Sequence, residues 1–110
     1  MYKAVVTDLD GTLLDGNHRL TEFTKEIVNK VIEKGIKFYI ATGRNYGLAE
    51  MIKDDLGIEI PLITSNGAAV YDKKGNIIYE NGLAKKEIEI ILNIDYKSFG
   101  SNIHLNIFSG

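Results

Sequence analysis

The sequence predicts an α/β fold, with three parallel strands joined by crossover helices and then a β-hairpin. Three observations carry that prediction. Short apolar runs, Ala4–Val6, Ile36–Ala41 and Leu62–Thr64, recur along the chain. Two stretches with apolar residues at helical spacing separate them, and strand–helix–strand–helix–strand at this interval argues for right-handed crossovers and a parallel sheet. After Ser65, two strand-like segments flank a glycine-containing loop.

Each element has its own signal. Ala4, Val5 and Val6 are consecutively apolar and lead into Thr7 and Asp8; a continuous run of this kind predicts a strand covered on both faces. Asp15 to Arg19 is polar and turn-rich, the composition of a loop. Thr21 is placed to cap a helix, with Glu22 in its first turn. Phe23, Ile27, Val28, Val31 and Ile32 then form one apolar stripe, and Gly35 ends it. Ile36–Ala41 is the second strand. A second helix runs from Tyr46 to Leu56, closed by Gly57, and Pro61 opens the third strand, Leu62–Thr64.

Asn66-Gly67 reads as a turn. Ala68–Tyr71 and Ile77–Tyr79 around Asp72–Asn76 read as the hairpin. Ala84–Ile94 fits a helix through Ile88, Ile91 and Leu92, although the alternation from Glu87 to Ile90 also suits a strand; its length favours the helix. Ile103, Leu105 and Ile107 alternate with Asn102, His104 and Asn106, which predicts a half-buried strand over Asn102–Phe108.

Composition narrows the function. With 45% hydrophobic and 25% charged residues, the 110-residue chain has the profile of one small globular domain. A formal net charge of −2 sets up no field for nucleic acid or an anionic membrane. No apolar run approaches membrane-spanning length, and Lys3, Asp8 and Asp10 interrupt any signal-peptide pattern. The absence of cysteine fits a reducing compartment. The reading is a cytoplasmic protein without nucleic-acid or membrane partners.

The chemistry gathers at strand ends. In an open parallel sheet, functional groups collect beyond the carboxyl ends of the strands. Asp8, Thr42 and Ser65–Asn66 occupy those positions, and exposed loop N–H groups there favour a phosphate. Asp8 and Asp10, two residues apart, can both project to that edge, and oxygen-only ligands favour Mg²⁺. Other readings of Asp-x-Asp-Gly are weaker. An EF-hand needs a glutamate eleven positions after its first aspartate, where Arg19 stands. A receiver domain needs an acceptor aspartate after its third strand, where Thr64-Ser65-Asn66 stands. Thr42-Gly43-Arg44 alone would be a helix-capping turn, and His18 and His104 read as non-catalytic.

Taken in order, Asp8-Leu9-Asp10-Gly11-Thr12, Ala41-Thr42-Gly43-Arg44 and Ser65-Asn66-Gly67-Ala68 resemble the haloacid dehalogenase-like superfamily, and within it the Cof-like sugar-phosphatase branch. The resemblance covers essentially the whole chain. It implies half of a Rossmann-like parallel sheet with a hairpin over residues 1–82, and the start of an α/β cap over 83–110. It implies a Mg²⁺-dependent phosphohydrolase acting on a small phosphorylated metabolite, such as a sugar phosphate. Asp8 would be the nucleophile, forming an aspartyl-phosphate, and Asp10 the acid and then the base. Asp8 by its carboxylate and Asp10 by its backbone carbonyl would hold the metal. Thr42 and the Gly43 N–H would bind phosphoryl oxygens, Thr12 would support the Asp loop, Asn66 and Gly67 would lie near the site, and Arg44 would contact substrate or loop.

The family's later lysine and GDxxND-like acidic motif have no counterpart after Gly82. The resemblance therefore implies the N-terminal part of a longer enzyme, with Ala4–Thr7 left at a sheet edge that self-association or a complementing C-terminal half would cover. A catalytically incomplete interaction module stands beside the enzyme as the second reading.

Overall fold

A computed structural model describes residues 1–107 of the chain. Its elements in chain order are β1 (Ala4–Thr7), α1 (Glu22–Glu33), β2 (Lys37–Ala41), α2 (Tyr46–Leu56), β3 (Leu62–Thr64), β4 (Ala69–Tyr71), β5 (Ile77–Glu80) and α3 (Lys85–Leu92). The five strands form one sheet in the order β1-β2-β3-β4-β5. β1, β2 and β3 are parallel, with Val5 opposite Phe38 and Ile40 opposite Leu62. The hairpin adds β4 and β5 antiparallel, with a bulge between Val70 and Tyr71.

The cap predicted at Thr21 is in place, and the structure adds one at Asn45. The Thr21 hydroxyl accepts from the Thr24 N–H and opens α1. The Asn45 carboxamide oxygen accepts from the Leu48 N–H and opens α2, which Gly57 ends in the left-handed region at φ 68°. The core packs these helices against one side of the sheet, where Val28, Ala49 and Leu56 meet Phe38, Ile40 and Leu62. Lys25 Nζ reaches Asp55 Oδ1 at 2.8 Å and ties α1 to α2 on that side.

The other side is open, which corrects the expectation of a strand covered on both faces. Phe38 and Ile40 are buried, whereas Tyr39 and Ala41 between them are half-buried, and Val6 is 59% exposed. The apolar run of β1 reflects one helix-covered face and one bare one. β1 is also an edge, with β2 as its one neighbour among the described residues.

The hairpin leans on the start of α2. Tyr46 stacks on Tyr71 with ring centroids 4.0 Å apart. Gly75, at φ 86°, passes so near the Tyr46 hydroxyl that a Cβ there would stand 2.6 Å from it, so this turn needs glycine for conformation and for space. Asp72 braces the turn by accepting from the Lys74 and Asn76 N–H groups, both at 2.9 Å.

The two segments after residue 82 fare differently against their patterns. Lys85–Leu92 is helical, as its length indicated, and Glu87 accepts from the Ala84 N–H at 2.7 Å. Alanine has no side-chain acceptor, so only half of a capping box forms. The strand over Asn102–Phe108 is absent from residues 102–107, and Phe108 lies outside the described residues. Alternation supplies a face but no partner, and Ile103, Leu105 and Ile107 are exposed with no sheet beside them.

Candidate active site

The site begins where β1 stops. Asp8, extended at φ −79° and ψ 167°, accepts from the Leu9 N–H through Oδ1 at 2.7 Å. The chain then makes a wide turn over Leu9–Leu13, closed by Leu13 N–H to the Asp8 carbonyl at 3.3 Å and Leu14 N–H to the Leu9 carbonyl at 3.0 Å. Gly11, at φ 74°, lets the chain reverse here. Leu9 and Leu14 are buried and anchor the turn to the core, which leaves Asp8 exposed. Thr12 lies exposed within the same turn.

The loops after β2 and β3 are stitched together beside it. The Asn66 N–H donates to the Thr42 carbonyl at 3.0 Å, and the Ser65 N–H to the Arg44 carbonyl at 2.8 Å. The buried Thr42 hydroxyl accepts from the Arg44 N–H at 3.1 Å. Together the three strand ends border an open pocket of about 470 Å³ lined by Asp8, Thr42, Gly43, Asn66 and Gly67, with Val6 and Ile63 among its apolar walls. Five of the expected site residues, from three separate segments, therefore meet in one place.

Asp10 stands apart from that pocket. Its carboxylate accepts from Arg44 Nε at 2.7 Å and from Arg44 Nη2 at 2.5 Å, a two-pronged ion pair across the strand ends. His18 Nδ1, on the loop before α1, lies 2.8 Å from the same carboxylate. The Arg44 bonds first, and His18 second, hold the Asp10 carboxyl down to about 2. Arg44 gains in turn, its guanidinium pushed further above its usual range by Asp10. His18 is the contact that sequence reasoning did not find, because nothing in a lone histidine eight positions after Asp10 signals that the loop folds back onto it.

The oxygen-only donor set suits magnesium, which keeps several waters and takes one or two carboxylates from the protein. Asp8 offers its exposed carboxylate, while both Asp10 carboxylate oxygens are committed to Arg44 or His18. Among the described residues no group of three or more acidic, histidine or cysteine side chains gathers to cage an ion unaided.

Asp8 and the loops after β2 and β3 thus share the carboxyl-end edge of the parallel strands, where α/β proteins gather their ligand-binding groups. The comparisons agree on the family. The family model described as haloacid dehalogenase-like hydrolase matches residues 5–110. The HMP-PP phosphatase of Yersinia pestis (strain Pestoides F) is 32% identical over 105 residues, which are 96% of this chain and 38% of that protein. A Buchnera aphidicola relative (subsp. Baizongia pistaciae, strain Bp) is 46% identical over 92 residues, 84% of this chain and 34% of its own length. Among solved structures, a haloacid dehalogenase-like hydrolase from B. subtilis superposes with a TM-score of 0.74 at 31% identity, covering 82% of this chain and 32% of that one. This chain belongs to the haloacid dehalogenase-like hydrolase family. It spans about a third of the length of the relatives it matches.

Proposed function

We propose that this chain carries the nucleophile side of a phosphohydrolase site acting on a small phosphorylated metabolite. The observation that carries the reading is Asp8, exposed at the end of β1 in a pocket shared with Thr42, Gly43, Asn66 and Gly67. Sugar phosphates, and the HMP-PP named for the Yersinia relative, are the substrates to try first.

In this mechanism an Asp8 carboxylate oxygen attacks phosphorus in line. The Asp8–phosphorus bond forms as the bond to the leaving oxygen breaks, and Asp10 protonates that oxygen. Asp10 then takes a proton from water as the water oxygen attacks phosphorus, and the Asp8–phosphorus bond breaks. Thr42 and the Gly43 N–H hold the non-bridging oxygens, where charge accumulates. A Mg²⁺ held by the Asp8 carboxylate and the Asp10 carbonyl would offset the negative charge of nucleophile and phosphoryl group when bound. Arg44 holds the Asp10 carboxylate in its charged form, so serving as the acid requires both release from that ion pair and uptake of a proton. Residues 83–110 form the entry to a cap in this reading, which fits the exposure of α3.

The test is hydrolysis of a generic aryl phosphate by this chain, its Asp8→Asn variant and a full-length relative. The reading expects activity in the relative, weak activity in this chain and none in the variant. Turnover by this chain that survives Asp8→Asn would remove the nucleophile.

The free edge of β1 favours a second reading, an interaction module. An unpaired apolar edge recruits another strand, supplied by a second copy or by a complementing C-terminal half.

A further inference from the structure

The loop after β3 holds three consecutive left-handed residues, Ser65 at φ 49°, Asn66 at φ 56° and Gly67 at φ 92°. Two of the three carry a Cβ, which that backbone disfavours. Bonds from the Ser65 and Asn66 N–H groups to the loop after β2, and from the Ala68 N–H to the Ser65 carbonyl at 3.1 Å, hold the conformation in place. Glycine would adopt the Asn66 backbone without strain, so the backbone alone does not account for a side chain there.

The side chain has a definite place. A Cβ added at Gly43 would stand 3.0 Å from Asn66 Oδ1 and 3.5 Å from Nδ2. The carboxamide thus lies over the Gly43 backbone, in the pocket that Asp8 and Thr42 line. It is exposed there, and a primary amide brings two N–H donors. A side chain held by this loop over the Gly43 backbone, in the pocket that Asp8 lines, is placed to meet a ligand there.

We propose that Asn66 is a substrate-contacting residue, its carboxamide donating to a non-bridging oxygen of the phosphoryl group at Asp8. The proposal rests on the phosphohydrolase reading and adds a ligand contact to it. It also gives Gly43 a reason: a Cβ there would press on the Asn66 carboxamide at 3.0 Å and ask it to give by a few tenths of an ångström.

Vanadate, a phosphoryl mimic, tests it on the ¹⁵N-labelled chain in the presence of Mg²⁺, with binding read from the Gly43 and Gly67 amide shifts and folding from thermal melting. The unsubstituted chain is expected to bind. Asn66→Gly relieves the backbone and is expected to melt no lower, yet to bind vanadate at least tenfold more weakly. Asn66→Asp keeps a residue type that tolerates this backbone but replaces donor with anion, and should weaken binding at least as much; it serves alone if the glycine variant does not fold. Binding by either folded variant within twofold of the unsubstituted chain overturns the proposal and leaves Asn66 a turn residue. No binding by the unsubstituted chain instead overturns the phosphohydrolase reading, and this proposal with it.

Discussion

Asp10 and Arg44 are 34 positions apart in sequence and joined by two hydrogen bonds in the fold. The pair has a pH signature whose sign follows from the shift. Because the folded state holds the Asp10 carboxyl down to about 2, below the usual 3.8, the native chain binds protons less readily than the unfolded one there. The pair's contribution to stability is therefore full above the unfolded value and is lost as pH falls from about 4 toward 2. Replacing Arg44 by glutamine removes the main cause, and ¹³C carboxyl NMR should find the Asp10 midpoint raised toward the ordinary carboxylate range. An unchanged midpoint would mean that Arg44 does not set it.

Asp8 invites a different substitution. Its Oδ1 caps the Leu9 N–H, and asparagine accepts as well as aspartate in that role. Asp8→Asn should therefore shift stability by no more than about 0.5 kcal/mol by denaturant titration while abolishing catalysis. A large loss of stability would show that the carboxylate is structural. The motifs made the identity of these residues legible in sequence. The aim of the Asp10 carboxylate was not legible, because it depends on where an arginine after β2 and a histidine before α1 come to rest.

Among the elements, local signals read well, as did the parallel pairing of β1–β3 and the hairpin; the covering of β1 and the pairing of the tail did not. The cap at Thr21, the terminator Gly57, and the β2 and β3 runs all stand where turn chemistry and apolar spacing put them. Their determinants lie within a few residues of each other. Whether β1 is covered on both faces, or Ile103–Ile107 pairs at all, depends on partners that periodicity cannot supply. The same contrast predicts mutational cost. Leu62 is fully buried between β2 and the hairpin, so Leu62→Ala should cost about 2–5 kcal/mol in chemical denaturation. Leu105→Ala, at an exposed position, should stay within about 0.5 kcal/mol. Equal costs would mean that the tail is part of the core.

The whole molecule is less compact than its length allows. Its Cα radius of gyration is 16.9 Å, against roughly 13 Å for a compact chain of this size. The excess goes with residues 83–107, where only Ile91 and Tyr96 are even half-buried. Together with the bare side of β1, these residues leave apolar surface exposed. In dilute solution the β1 amides directed away from β2 should exchange with solvent quickly. They should gain protection as concentration rises and sedimentation reports larger species. A stable monomer in which all the Ala4–Thr7 amides are protected would contradict the interaction reading.

The central claim is that Asp8 is the nucleophile. Its most direct test is to incubate the chain with Mg²⁺ and a small acyl phosphate donor, quench in acid, reduce with borohydride and locate the modified residue by peptide mass spectrometry. A phosphoryl adduct is expected on Asp8, reduced to homoserine at that position and absent after Asp8→Asn. An adduct on another residue, or none under conditions where vanadate binds, would contradict the claim.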